Sequence, residues 1–315
     1  MIPKAVLMMA YGGPGSLEDI EPYLLDVRGG RAISPELVEE IRARYAAIGG
    51  KSPLLEITQA QARALENSLN LAAVEDTYKV FVGMRHWFPY IREAVEHILH
   101  GGHQKVIAIC MTPYFSRIST QAYFDQLDQA VATIEKDEGI VLPEVIKIPS
   151  WYSNPLFIQA LAEKLKQGIQ RFPESMETNG KILFTAHSLP ATLIDQGDPY
   201  EQQLRETAQS VAAQLDIPNT RWEFCFQSAG ARNTRWLGPS LGETLARVAQ
   251  EKIKNVLVAP IGFVSDHVEI LFDIDIEARQ QAQAVGVHLE RTQALNTSPR
   301  FIEALTQIIK LGGMQ

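Results

Sequence analysis

The chain has 315 residues and a formal net charge of -8, and hydrophobic side chains make up 46% of it. This length is enough for two domains, each with a core of its own. The acidic balance argues against binding to nucleic acid, because a phosphate backbone attracts an excess of lysine and arginine.

Short apolar runs rich in valine, isoleucine and phenylalanine predict β-strands along the whole chain. They lie at 5–11, 79–85, 105–115, 142–148, 181–187, 223–228, 255–263 and 287–293. Segments with helical periodicity separate them; in 89–100, for example, Ile91, Val95 and Ile98 fall on one side of a helix. Near-continuous apolar strands alternating with helices indicate parallel sheets that are covered on both faces.

An approximate internal repeat divides the chain into two similar α/β lobes. Each half has an apolar run followed by a turn-rich loop, VLMMAYGGPG at 6–15 and ILFTAHSLP at 182–190. The turn residues of 148–155 predict a linker, which puts the boundary near 150. Open α/β sheets bind ligands at the carboxyl ends of their strands, so we expect a ligand cleft between the lobes.

His187 comes directly after an apolar run, at the predicted carboxyl end of a strand. This is where ligands of α/β sheets bind, and an imidazole there can bind a metal ion or transfer a proton. A capping histidine, or a core histidine with satisfied hydrogen bonds, is the alternative. The residue alone does not decide between these interpretations.

The segment SDHVEILFDIDIEAR at 265–279 carries a row of carboxylates. Glu269, Asp273 and Glu277 are four residues apart, so they share one face of a helix. Such a row destabilises a helix by roughly 0.2–0.5 kcal/mol per pair unless cations or water attend it. It indicates a solvated stripe or a path for cations, and a capping box with Asp266 also explains Glu269. Carboxylate together with imidazole suits ferrous iron and proton transfer.

Cys110 and Cys225 both lie in apolar runs, and no CxxC spacing occurs. Buried thiols are typical of a reducing compartment, and we expect no iron–sulfur cluster held by this chain. The apolar run at the N-terminus is too short for a signal peptide, and no run approaches the ~20 residues of a membrane span. We therefore expect a cytoplasmic protein without a transmembrane segment.

Aromatic and basic side chains cluster after the predicted strands of the first half, and they include Tyr11, Arg28, Arg85 and Tyr123. A flat apolar ring with carboxylate substituents would need such walls and anchors. Ordinary core packing and surface charge explain the same residues equally well.

Taken together, the motifs of this chain resemble those of bacterial-type ferrochelatases. They are MAYGGP (9–14), GMRHWFP (83–89), TPYFSRIST (112–120), FTAHSLP (184–190), WLGP (236–239) and SDHVEILFDIDIE (265–277). The resemblance implies an α/β fold of two Rossmann-like lobes, 1–150 and 151–315, each a four-stranded parallel sheet flanked by helices. The last helix is expected to be able to pack back on the first lobe.

The resemblance also implies an activity and a set of site residues. Ferrous iron would be the substrate inserted into a porphyrin in haem biosynthesis, by a monomer that needs no prosthetic group. His187 would be the inner metal-binding or proton-accepting residue, with Glu269 facing it across the macrocycle and Asp273 and Glu277 continuing outward as an acidic path. The positions that line or anchor the porphyrin would be Tyr11, Arg28, Ser52, Arg85 and Tyr123.

The identity of the porphyrin and of the metal stays open. Tyr11 in MAYG resembles enzymes that act on coproporphyrin III, whereas the second glycine of MAYGGP and the SDHVE segment look more like protoporphyrin IX enzymes. A chelatase for cobalt or nickel is one alternative function. A tetrapyrrole carrier without catalytic activity is another.

Overall fold

The computed structural model describes residues 3–71, 77–103, 105–139, 143–172, 176, 179–230 and 234–313. The chain forms two compact units, Met1–Trp151 with Asn296–Gln315 and Tyr152–Leu295. Each predicted run forms a strand, although Leu142 of the predicted fourth strand lies outside the described residues.

The first unit is built on a four-stranded parallel sheet with the strand order β2-β1-β3-β4. Its strands are β1 (Lys4–Ala10), β2 (Tyr78–Met84), β3 (Lys105–Cys110) and β4 (Glu144–Ile148). The strand order reverses between β1 and β3. The carboxyl ends of these two strands therefore flank the point where open α/β sheets bind ligands.

The described residues of the first half of the chain also form five helices. They are α1 (Ile20–Val27), α2 (Pro35–Ala47), α3 (Leu54–Leu71), α4 (Ile91–His100) and α5 (Thr120–Glu138). Helix α2 begins as capping rules require, because Ser34 accepts a hydrogen bond from the Leu37 amide and Pro35 occupies the first position. The predicted apolar side of α4 is buried and packs with β1, β3 and α5 in one core.

The second unit repeats this design with a four-stranded parallel sheet in the order β6-β5-β7-β8. Its strands are β5 (Gly180–His187), β6 (Trp222–Gln227), β7 (Asn255–Ala259) and β8 (His288–Arg291). Here the order reverses between β5 and β7, so the loops after these strands flank the corresponding ligand position. The predicted fold class is confirmed.

The α-helices among the described residues of the second unit are α6 (Pro155–Arg171), α7 (Ala191–Asp195), α8 (Tyr200–Gln214), α9 (Leu241–Gln250), α10 (Val268–Leu271) and α11 (Arg279–Ala284). A π-helical segment, Asp273–Ala278, lies between α10 and α11. The chain then returns to the first unit as α12 (Pro299–Gly312), which packs against α3 and β4.

Candidate active site

His187 is the last residue of β5 and lies at the strand-order reversal of the second sheet. Its Nδ1 contacts the backbone carbonyl of Ser188, and its own carbonyl accepts a hydrogen bond of 3.0 Å from the Tyr200 hydroxyl. A carbonyl only accepts hydrogen bonds, so Nδ1 carries a hydrogen and Nε2 is left to hold a lone pair or a second proton. The side chain is 32% exposed, unlike that of a core histidine.

The Glu269 carboxylate lies between two imidazoles. Its Oε1 is 3.9 Å from Nε2 of His187, and its Oε2 is 3.7 Å from Nε2 of His267. His267 is oriented like His187, because its Nδ1 is 2.9 Å from the Ser265 carbonyl oxygen. Both separations are longer than a hydrogen bond. The Nε2 atom of each histidine has two possible states. It either carries a proton and pairs with the Glu269 carboxylate, or offers a lone pair to a cation that lies between the imidazole and the carboxylate.

The charges of this group are coupled. Burial by itself raises the pKa of Glu269, but His187 and His267 outweigh it and hold the pKa at about 2. Burial also lowers the pKa of His267, but Glu269 outweighs it and raises this pKa above its ordinary value. Glu269 is therefore an anion at neutral pH, and a cation that replaces the imidazole protons meets a full negative charge.

Two expectations about Glu269 are wrong. A porphyrin lying between it and His187 needs about 3.5 Å of van der Waals contact on each face, or roughly 7 Å in total, whereas the two groups are 3.9 Å apart. The space between them is therefore too narrow for a ring, which could meet both groups only from one side. The capping box does not form either, because α10 begins after His267 and Asp266 pairs instead with Arg291 at 3.1 Å.

The acidic row does not lie on a regular α-helix. After α10 the backbone widens, and the Glu277 amide donates to the Phe272 carbonyl five residues earlier at 2.9 Å. In an α-helix, each side chain is rotated slightly forward around the axis relative to the side chain four residues before it. A π-helical turn contains more residues, so over such a turn the same spacing rotates the side chain slightly backward. Such turns are rare and occur often at functional sites.

Asp273 and Glu277 line a cavity of about 210 Å³ in the second unit. Ser228 and Gln281 line it too, and the Ser228 hydroxyl donates a hydrogen bond to Asp273. A cavity of this size has room for several water molecules, so a hydrated cation fits beside the two carboxylates. The structure thus brings both outer carboxylates of the predicted row to one cavity.

Arg291 of β8 secures the same segment from the opposite side. It forms a bidentate pair with Asp275, at 2.7 Å from Nε and 2.8 Å from Nη2, and its side chain is only 13% exposed. Asp275 is therefore held by Arg291 and does not line the cavity of Asp273 and Glu277. Since Arg291 also pairs with Asp266, it holds the chain on both sides of His267 and Glu269.

In the first unit, Tyr11 follows β1 and is 41% exposed. Its ring centroid lies 4.7 Å from that of His86, and its carbonyl accepts a 2.9 Å hydrogen bond from the His86 amide. His86 is buried, with Nδ1 2.8 Å from Asp26, and Tyr90 donates to the other oxygen of Asp26 at 3.2 Å. Burial lowers the pKa of His86. A neutral imidazole therefore supports an exposed phenol at the ligand end of the sheet.

The other predicted porphyrin residues of the first unit differ in accessibility. Tyr123 is buried, and the Arg85 guanidinium lies 5.4 Å from the centre of its ring, so these two contact each other. Ser52 is buried as well, against Gly13, where an added Cβ would be 2.6 Å from the Ser52 side chain. Arg28 is half-buried at the end of α1, and its Nε has no hydrogen-bond partner among the described residues.

Comparison with known proteins places this geometry in a family. The family model described as Ferrochelatase matches residues 3–311. The chain belongs to the ferrochelatase family. It is 43% identical to the ferrochelatase of Deinococcus radiodurans, over 98% of this chain and 95% of that protein. It is 36% identical to the coproporphyrin III ferrochelatase of Geobacillus kaustophilus, over 96% of this chain and 94% of that one. The resemblance seen in the motifs is confirmed.

Solved structures support the fold independently. CbiX, described as the terminal enzyme for sirohaem biosynthesis in denitrifying bacteria, superposes with a TM-score of 0.55 at 12% identity, over 98% of this chain and 99% of that one. SirB from Bacillus subtilis, solved with Fe³⁺, gives 0.56 at 11% identity, over 98% and 95%. At such identities the likeness concerns the chelatase fold alone.

Several contributors to the site carry no separate signal in the sequence. Gln227 and Ser228 lie at the end of a predicted strand, but only the structure shows that they contact the segment of Glu269 and Asp273. Arg291 is an ordinary charged residue in a strand, and nothing in its spacing pairs it with Asp275. Among the residues described, no helix is long and apolar enough to cross a membrane, and no group of three or more His, Cys, Asp or Glu side chains stands ready to hold a metal ion.

Proposed function

We propose that the protein inserts ferrous iron into a porphyrin to form a haem. The observation that carries the proposal is the Glu269 carboxylate between the Nε2 atoms of His187 and His267. The reaction exchanges two pyrrole protons for one divalent cation. This group can exchange the same partners, because its imidazoles carry either protons or lone pairs next to a carboxylate whose pKa they hold low.

The roles of the second unit follow from this chemistry. Asp273 and Glu277 attract the hydrated cation into their cavity, and Glu269 receives it as its waters leave. His187 accepts one of the two pyrrole protons on Nε2, and the Ser188 carbonyl stabilises the resulting imidazolium through Nδ1. His267 accepts the other proton on its own Nε2. All of these groups act from one side of the ring, so that cation delivery and proton removal occur on the same side.

The first unit would bind the porphyrin. Tyr11 is exposed and offers an aromatic ring and a hydroxyl, and Arg28 and Arg85 offer guanidinium groups to propionates. Tyr123 and Ser52 are buried, so we assign them an indirect role, with Tyr123 supporting Arg85 and Ser52 shaping the loop of Gly13. The proposal covers coproporphyrin III and protoporphyrin IX, which differ in the number of propionates that need an anchor.

We further propose that the protein works in the cytoplasm as a monomer, with no nucleic-acid partner. It would hold no resident prosthetic group, since iron is the substrate. The two cysteines support the absence of an iron–sulfur cluster, because Cys110 and Cys225 are both buried and lie in different units.

One observation favours a second candidate, a chelatase for cobalt or nickel. Two imidazoles next to a carboxylate suit these later metals as well as iron, and divalent affinity generally rises from iron through cobalt to nickel. Selectivity would then depend on how readily each hydrated ion loses water on its way to Glu269.

The test is anaerobic metal insertion followed by absorbance, with ferrous, cobaltous and nickel ions and with both porphyrins in parallel. We expect iron to be inserted fastest, and the ratio of kcat/KM values identifies the porphyrin. A preference for cobalt or nickel would favour the second candidate. Tight binding of both porphyrins without metallation by any of the ions would contradict both and indicate a carrier.

A further inference from the structure

Gln227, the last residue of β6, is buried and touches both partners of the proposed catalytic pair. Its backbone is in register with His187, and its carbonyl accepts a 2.8 Å hydrogen bond from the Ser188 amide. Its side-chain Nε2 donates a 2.7 Å hydrogen bond to the backbone carbonyl of Glu269. One residue therefore connects the end of β5 to the first turn of α10.

The orientation of the Gln227 amide is fixed by a third residue. Thr185 on β5, which is fully buried, donates its hydroxyl to Oε1 of Gln227 at 2.8 Å. Because the Glu269 carbonyl can only accept, the amide must present Nε2 to it and Oε1 to the hydroxyl. The relay from Thr185 through Gln227 to Glu269 is thus complete and has a single arrangement.

Glu269 needs such support because its own helix holds it weakly. Helix α10 has four residues, its N-cap His267 makes no side-chain capping bond, and a π-helical segment follows. A short helix of this kind takes its position from tertiary contacts rather than from its own stability.

We propose that Gln227 is a positioning residue that sets the distance between His187 and Glu269 for metal insertion. The inference rests on the proposed function. Gln227 need not touch the porphyrin or the metal, and its effect passes through the Glu269 backbone. Losing the amide lets Glu269 move away from Nε2 of His187, and an error of about 1 Å in such a site costs on the order of 100-fold in rate.

The experiment compares Gln227→Met with a matched control, Gln61→Met. Both changes keep the length of the side chain and remove a buried amide that donates to a backbone carbonyl, since Gln61 donates to Asn296 at 2.9 Å in the first unit. We expect Gln227→Met to lower kcat for iron insertion about 10- to 100-fold. The porphyrin KM should stay within about twofold, because Gln227 does not touch the porphyrin and the loss is expected in kcat alone.

Gln61→Met should keep the wild-type kcat and porphyrin KM while losing a similar amount of stability. Gln227→Glu adds a conservative variant: a carboxylate accepts from Thr185 but cannot donate to the Glu269 carbonyl, so it should not rescue kcat. If Gln227→Met does not fold, the isosteric Thr185→Val frees the amide to turn and should lower kcat at least severalfold.

The outcomes separate this inference from the proposed function. Wild-type protein that inserts no metal would sink the proposed function itself. If the wild-type protein turns over and the kcat of Gln227→Met or Thr185→Val matches that of Gln61→Met, only the positioning role is overturned.

Discussion

Replacing Arg291 with methionine tests how the acidic segment is held in place. The substitution keeps much of the apolar stem but removes the guanidinium that pairs with Asp275 and Asp266. Two carboxylates on either side of His267 and Glu269 then lose their counterion. We expect both the fold of the second unit and the catalytic geometry to suffer.

The magnitude follows from the burial of the three groups. Breaking a buried pair by removing one partner costs about 3–5 kcal/mol. The Asp275 and Asp266 side chains keep 26% and 21% of their surfaces exposed, so water can replace part of the lost interaction and the lower end, about 3 kcal/mol, applies. At roughly 2–4 °C per kcal/mol for a domain of this size, Tm should fall by about 6–12 °C.

Thermal and urea unfolding followed by circular dichroism measure this loss. The double variant Arg291→Met with Asp275→Asn should regain part of the lost stability, because it no longer has an unpaired Asp275 carboxylate. In Asp275→Asn alone, Arg291 keeps its ion pair with Asp266. A loss below about 1 kcal/mol, or a double variant that is no better than Arg291→Met, would refute the idea that a buried ion pair secures the segment.

Three further predictions concern the sheet of the second unit. Gly262→Ala would put a Cβ 2.5 Å from Cβ of Ala186, next to His187, so it should cost about 1–3 kcal/mol and lower kcat; unfolding and turnover check this, and a neutral effect would contradict it. Burial raises the pKa of Glu223, but Arg247 and Lys181 together outweigh it and the pKa ends below its ordinary value. The Glu223 carboxylate therefore stabilises the fold above the unfolded pKa of about 4.3, and this contribution is lost as pH falls. We expect the difference in unfolding free energy between the wild type and Glu223→Gln to become smaller below about pH 5. A difference that does not change with pH would count against the pairing. Burial raises the pKa of Cys225 to about 12, so the native thiol should resist a disulfide reagent at pH 8 and react only after unfolding; rapid native reaction would be incompatible with its burial.

The sequence predicts the sheets well because their signal is local. Continuous apolar runs between helices identify the strands, and the buried side of α4 follows from its periodicity. The strand ends are less well predicted, since an apolar run does not stop where backbone pairing stops. Tyr114 is fully buried yet lies beyond the end of β3 at Cys110, in a loop that the run extends into.

The candidate site is only partly predictable for the same reason. Motif matching identifies His187 and the carboxylate row, but it gives no distances, so it placed Glu269 across the ring when the pair is 3.9 Å apart. The capping box was a sound local prediction that a distant residue overrides, because Arg291 takes the Asp266 side chain. The relay through Gln227 depends on strand order, which brings β6 beside β5 and under α10.

Our proposed function depends on Glu269, which lies between two imidazoles and would receive the metal before it enters the porphyrin. The most direct measurement is anaerobic ferrous-iron insertion by the wild-type protein and by Glu269→Gln, with the porphyrin Kd determined in the same samples. We expect the porphyrin Kd of Glu269→Gln to stay within about twofold of the wild-type value. The rate of insertion should fall by on the order of 100-fold, since the neutral amide cannot replace an anion. Insertion by Glu269→Gln at the wild-type rate would contradict it.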